Sequence, residues 1–106
     1  MHILVTGGAG FIGTNLIKQL LSKGYQVTSI DNYSTGKKEN EQEGAHYINC
    51  DINNWTFPIT YDIVFHMAAI ARIQPSFKHP EKYIDTNFNG TYKIVQFCVK
   101  NNIPLI

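Results

Sequence analysis

Apolar positions in this chain alternate between continuous runs and helical stripes, and polar breaks separate them. His2 to Thr6 holds Ile3, Leu4 and Val5 in succession, the run expected of a parallel strand buried on both faces. From Phe11 to Lys23, Ile12, Leu16, Ile17, Leu20 and Leu21 recur at three- and four-residue spacings, which predicts a one-sided helix. Lys18, Gln19, Ser22 and Lys23 are left for water, and Gly24 suits a helix stop. Gln26 to Ile30 reads as a second strand, Ala45 to Asn49 as a third, and Tyr61 to His66 as a fourth. Between the second and third, Asn32 to Gly44 is polar and reads as a loop or a frayed helical turn. A long helix is predicted from about Ser76 to Asn101, opening at Ser76 or at His79-Pro80. Ile84, Phe88, Ile94, Val95, Cys98 and Val99 form its expected buried side. Asn101-Asn102 breaks that helix, and Ile103-Pro104-Leu105-Ile106 begins a fifth strand. Strands alternating with helices predict an α/β fold, a doubly wound parallel sheet of four to five strands with two main helices.

The join between the first strand and the first helix carries the chemistry. It reads Thr6-Gly7-Gly8-Ala9-Gly10-Phe11-Ile12-Gly13. Gly7 permits a tight turn, Gly10 lets the backbone approach a pyrophosphate, and Gly13 allows close helix–strand packing. The pyrophosphate then rests on free N–H groups of the helix N-terminus, where Phe11 and Ile12 lie and the helix dipole favours negative charge. A glycine turn alone also serves as a plain strand–helix joint. Here Asp31 closes the second strand, at the place of the acid that accepts hydrogen bonds from an adenosine ribose and repels a 2′-phosphate. No arginine sits nearby to favour the phosphate form. The fold expected is Rossmann-like, and the cofactor expected is NAD rather than NADP.

Composition narrows the partners. With 106 residues, 43% apolar and 16% charged, the chain reads as one small globular domain over its whole length. Its formal charge is +1 and its longest basic run is Lys37-Lys38, so neither a nucleic-acid nor a membrane footprint is expected. The N-terminus lacks the charged and apolar regions of a signal peptide, and no run approaches the ~18 apolar residues of a membrane span. A cytoplasmic protein with Cys50 and Cys98 as reduced thiols is the expectation. Its four histidines are scattered without HExxH or CxxC spacing, so no metal site is expected.

Five motifs, in order, resemble a known family. They are the glycine turn from Thr6 to Gly13, Asp31-Asn-Tyr-Ser-Thr-Gly36, Asp51-Ile52, His66-Met-Ala-Ala69 and Asn87-Phe-Asn-Gly-Thr91. The chain resembles, over essentially its whole length, the extended short-chain dehydrogenase/reductases, in particular the NAD-dependent epimerase/dehydratase group acting on nucleotide sugars. The resemblance implies that Asp31, Asn32, Ser34, Thr35 and Gly36 surround the adenosine ribose. Asp51 would hydrogen-bond the adenine and Ile52 pack on it, and Met67, Ala68 and Ala69 would pass under the nicotinamide-side ribose and the pyrophosphate. Asn87 would project from the long helix toward the cofactor. Asp51 also fits a turn after a strand, and Ala68-Ala69 also fits tight packing. Asn87, Asn89 and Gly90 are poor helix formers, so a functional or close-packing demand outranks propensity there. Ser76 reads as a helix cap and Arg72 as a surface residue, while Ala71 stands where some epimerases carry a lysine.

Redox chemistry in the family needs a Tyr-x-x-x-Lys pair on a helix after the fifth strand, the lysine lowering the tyrosine pKa for proton exchange. The string Tyr33 to Lys37 has that spacing, but it contains Gly36 and lies in the ribose-side loop, so it reads as a decoy. No catalytic residue is assigned. The expectation is a truncated NAD-binding half that does not transfer hydride alone, with no substrate domain. One alternative is an epimerase/dehydratase completed by another chain, which alone would take a nucleotide-sugar substrate. The other is a structural or regulatory module docking onto a full-length relative. Family dimers pack through the long helix, which implies self-association through 76–101 with Phe88, Tyr92 and Phe97 as contacts.

Overall fold

The computed structural model describes residues 1–55, 60–68 and 80–106. Strands β1 (His2–Thr6), β2 (Gln26–Asp31), β3 (His46–Asn49) and β4 (Ile63–His66) form one sheet in the order β3-β2-β1-β4. All of its pairings are parallel. Helix α1 (Phe11–Ser22) joins β1 to β2, and a short 3-10 turn at Lys38–Asn40 lies within the expected loop before β3. After β4 come α2 (Pro80–Ile84), a π-helical segment (Asp85–Gly90) and α3 (Thr91–Asn101).

The apolar run of β1 explains the layering. Successive strand residues point to opposite faces, so a run with no polar gap needs cover on both. Ile3 and Val5 pack with Ile17, Leu20 and Val27 on the α1 side. Leu4 turns the other way, into a cluster with Ile30, Val64, Ile94, Phe97 and Cys98 on the α3 side. Burying each such aliphatic side chain contributes about 1.5–3 kcal/mol.

Both main helices stop on a left-handed residue. Gly24 has φ +82°, its N–H donates to the Leu21 carbonyl at 3.0 Å, and the Tyr25 N–H donates to the Leu20 carbonyl at 3.2 Å. That bond pair satisfies the last carbonyls of α1. Asn102 plays the same part at φ +54°, with the Ile103 N–H donating to the Cys98 carbonyl at 2.9 Å. The fifth strand is reduced to one parallel bridge between Val64 and Leu105. It is held by the Val64 N–H on the Pro104 carbonyl at 3.0 Å and the Ile106 N–H on the Val64 carbonyl at 2.9 Å.

The long helix departs most from its apolar pattern. It is described from Pro80, and Ser76 to His79 lie outside the described residues. The π-helical segment changes the phase of the spiral, and in an α-helix each residue accounts for about 100° of turn. A stripe extrapolated through it at the α-helical period therefore fails. Ile84 and Phe88 are exposed, and in α3 the buried line is Ile94, Phe97 and Cys98, with Val95 and Val99 outside it. Phe97, expected at an interface, belongs to the core, its ring 6.5 Å from that of Tyr61 in an edge arrangement. Gly90 answers a packing demand: a Cβ there would lie 2.4 Å from Ile52 Cδ1. At the start of α1, Phe11 and Ile12 are exposed as well, because they precede the point where the helix meets the sheet.

Gly13 fixes that meeting point. A Cβ on it would stand 2.3 Å from the Gly7 carbonyl oxygen and 2.8 Å from Gly8 Cα, both backbone atoms that cannot swing aside. Gly13→Ala is expected to lose about 1–3 kcal/mol despite alanine's better helix propensity. Urea unfolding checks this; an unchanged or higher midpoint would contradict it.

Candidate functional site

The carboxyl ends of the strands open onto a cleft of about 310 Å³. Strand order reverses beside β1, where ligands bind in open α/β sheets. Gly7 turns the chain away from β1 at φ +71°, its N–H donating to the Ile30 carbonyl at 2.7 Å. A Cβ on Gly7 would lie 2.8 Å from the Ala68 nitrogen, and one on Gly8 would lie 2.1 Å from Ser29 Oγ. With Gly13, these glycines are demanded by the protein's own packing.

Gly10 is different. Its φ of −79° and ψ of 178° suit any residue, and among the described residues a Cβ there would meet only the Gly7 carbonyl oxygen, at 3.4 Å. No neighbour among the described residues requires a glycine, yet the residue lines the cleft. A methyl group there would take room from whatever the cleft holds. Gly10 also caps α1 without a side-chain hydrogen bond, and the first turn of α1 carries no acid. The first N–H groups of a helix have no intrahelical partner, so this end offers donors and positive potential to an anion.

Asp31 binds the two sides of the cleft together. It is 9% exposed. Its Oδ2 accepts from the Ala9 N–H at 2.9 Å and its Oδ1 from the Tyr33 N–H at 2.8 Å. A carboxylate has about four lone-pair sites, so acceptor capacity remains for hydroxyl groups in the cleft. The loop after Asp31 folds onto the glycine turn: the Lys37 N–H and Asn40 Nδ2 both donate to the Ala9 carbonyl, at 3.2 and 2.9 Å. Asn32 Oδ1 accepts from the Ser34 N–H at 3.0 Å, shaping the turn that presents Ser34 and Thr35.

The sequence-derived residues divide clearly. Gly7, Gly10, Phe11, Ile12, Gly13, Asp31, Asn32, Ser34, Thr35, Asp51, Ile52, Met67 and Ala68 all line the cleft. Gly36 lies behind it, where a Cβ would come within 2.9 Å of Asp31 Oδ2, so it supports the carboxylate. Asn87 is exposed and does not line the cleft; Thr86, one position earlier in the π-helical segment, does. Ala69, Ala71, Arg72 and Ser76 lie outside the described residues. Asp51 makes the expected turn, its Oδ1 accepting from the Asn53 N–H at 2.8 Å, and it also lines the cleft. Ile30, Cys50 and Thr86 are additions. Cys50 was open to inference, because it follows β3 at the same sheet end as Asp31; Thr86 depends on the π-helical phase, which leaves no apolar signature.

Tyr33 is unsuited to proton transfer. It sits at φ +60°, and its hydroxyl donates to Glu41 Oε2 at 2.5 Å. Burial and the Glu41 carboxylate push the phenol well above its usual 10, opposite to the shift a catalytic tyrosine needs. Among the described residues, no group of three His, Cys, Asp or Glu is placed to hold a metal ion, and no helix is long and apolar enough to cross a membrane.

Parallel sheet, glycine turn and strand-end acid define a dinucleotide-binding class of fold. Residues 3–106 match the NAD dependent epimerase/dehydratase family, and the chain belongs to it. It is 36% identical over 110 residues to a UDP-N-acetyl-alpha-D-glucosaminuronate decarboxylase of Bacillus cytotoxicus, covering 97% of this chain and 34% of that relative. A UDP-glucose 4-epimerase from Thermotoga maritima, solved with UDP-glucose, superposes with a TM-score of 0.89 at 32% identity, over 97% of this chain and 35% of that one. The Thermus thermophilus UDP-glucose 4-epimerase in complex with NAD gives a TM-score of 0.85 at 29% identity, over 97% and 35% of the two chains. The chain thus spans about a third of the length of the curated relatives it matches.

The two thiols differ in access. Cys50 is half-buried at the cleft, whereas Cys98 is 3% exposed in the core, and burial raises its thiol pKa. Iodoacetamide is expected to modify Cys50 in the native protein well before Cys98. Peptide mass mapping checks this, and equal rates at the two sites would contradict the packing.

Proposed function

We propose that the cleft binds NAD, and that residues 1–106 hold the cofactor for nucleotide-sugar epimerase or dehydratase chemistry without transferring hydride alone. The observation that carries this reading is Gly10, which lines the cleft while no neighbour among the described residues crowds a Cβ there closer than 3.4 Å. The α1 N-terminus would take the pyrophosphate, and Asp31, Asn32, Ser34 and Thr35 the adenosine ribose. Asp51 and Ile52 would flank the adenine, while Met67 and Ala68 support the nicotinamide side. Bound NAD would supply the hydride acceptor for oxidation of a sugar carbon. The proton partner for that step is a separate group, since Tyr33 is committed to Glu41. A cytoplasmic setting, with Cys50 and Cys98 as free thiols, accords with this reading.

Calorimetry provides the test. Wild type is expected to bind NAD and to bind NADP more weakly, because Asp31 repels the 2′-phosphate. Gly10→Ala is expected to keep the wild-type urea midpoint and lose roughly tenfold or more in NAD affinity, about 1.4 kcal/mol. NAD should also slow Cys50 alkylation. No heat at millimolar NAD from a folded protein, or a Gly10→Ala variant that binds like wild type, would sink the proposal.

The exposed apolar residues Ile84, Phe88, Tyr92 and Val99 favour a second element of the reading, self-association through the α2–α3 face. Sedimentation is expected to show a dimer that Phe88→Asp shifts toward monomer. A clean monomer at high wild-type concentration would contradict it.

A further inference from the structure

His66 lies outside the cleft lining, yet it ties together β1, β4 and α3, and Gly7, Met67 and Ala68, which follow the two strands, do line the cleft. Closing β4, the ring places Nδ1 2.6 Å from Thr6 Oγ1 at the end of β1 and Nε2 2.7 Å from Thr91 Oγ1 at the start of α3. Two further bonds fix the direction of the chain. The Ala68 N–H donates to Thr6 Oγ1 at 3.1 Å, and the Thr91 hydroxyl donates to the Asn87 carbonyl at 2.9 Å. Each hydroxyl has a single hydrogen. Thr91 has used its own, so it accepts from Nε2–H. Thr6 is fully buried, so water cannot take its hydrogen, and Nδ1 is the acceptor in reach. One neutral tautomer, protonated on Nε2, satisfies every group.

We propose that His66 is a positioning residue of the cofactor cleft, its neutral ring locking the Thr6–Ala68 contact beneath Gly7 to α3, so that protonating the ring weakens cofactor binding. The lever is short, because Ala68 is the residue against which a Cβ on Gly7 would collide. A protonated ring would donate from both nitrogens. The Thr6 hydroxyl hydrogen would then lose its acceptor inside the protein, and the support of Ala68 would loosen. Burial already lowers the ring's pKa below its usual 6.5. Among the described residues, the nearby elements engage their titratable groups elsewhere. His2 on β1 bonds Thr28, Asp62 ahead of β4 accepts from the His2 N–H, and Lys93 on α3 donates to the Asn53 carbonyl. Asp85 accepts from Asn89, and Cys98 is buried in the core.

The cofactor part of this inference rests on the NAD reading, so the test needs a readout without NAD. It combines a nitrogen-15 NMR titration of the His66 ring, urea unfolding and NAD calorimetry, from pH 8 to pH 5.5, on the full chain as wild type, His66→Asn and His66→Gln. Without NAD, the ring should be an Nε2–H tautomer, and the Thr6 and Ala68 amide shifts should follow its titration. Because the folded pKa is depressed, the unfolded chain binds the proton first. Stability is then present above about pH 6.5 and lost as the pH falls from there through the lower, folded midpoint. With NAD, the wild-type Kd should rise as the ring protonates, by at most about tenfold per pH unit for one linked proton. That dependence should vanish in both variants. His66→Asn keeps an acceptor for Thr6 and should bind within about threefold of wild type at pH 8, whereas His66→Gln, keeping only the Thr91 donor, should bind roughly tenfold more weakly. An Nδ1–H ring, amide shifts that ignore it, a flat wild-type Kd, or the same pH slope in the variants would each overturn the proposal. If wild type binds no NAD at pH 8, the NAD reading fails, and the ring tautomer and the two amides still decide the relay. A variant that fails to fold leaves the wild-type titrations decisive.

Discussion

Everything at the cleft depends on how closely the backbone of α1 lies on the glycine turn. At Gly13 there is no room for even one more carbon between the helix and the Gly7 carbonyl. That contact places the start of α1 at the carboxyl ends of the strands. It also explains why Phe11 and Ile12 stand clear of the core, on the rim of the cleft. A looser joint would move the helix dipole away from the only side of the sheet where β1, β2 and β4 end together.

Asp31 is the second fixed point, and it serves fold and cleft through the same two oxygens. One holds the glycine turn by the Ala9 N–H, and the other holds the following loop by the Tyr33 N–H. Removing the carboxylate therefore disturbs stability and recognition together. Gly10 separates the two, because among the described residues a side chain there would meet only the Gly7 carbonyl oxygen, at 3.4 Å. A position that packing leaves indifferent is the better witness to what the cleft is for.

Much of this was legible in the residue pattern, and the reasons are local. The unbroken apolar run Ile3-Leu4-Val5 admits few arrangements other than a strand covered on both faces. Gly24 and Asn102 stop their helices by the backbone geometry their residue types favour. What escaped depended on phase and distance. The π-helical segment shifted the long helix, exposing Phe88 and bringing Thr86 rather than Asn87 to the cleft. Phe97 turns inward for a reason of distance: Tyr61, whose ring it meets edge-on, lies far away in sequence. The role of His66 was hidden too, since a histidine closing a strand looks ordinary until Thr6 and Thr91 are seen on either side.

On the proposed reading, the glycine turn and the Asp31 loop together receive NAD. The most direct measurement is amide chemical-shift mapping of the labelled protein during an NAD titration. The largest shifts are expected at Gly10 to Gly13 and Asp31 to Thr35, smaller ones at Asp51 and Ala68, and little change at Val95 and Val99 on the outer side of α3. Shifts confined to α3, or none at the glycine turn as NAD saturates, would contradict it.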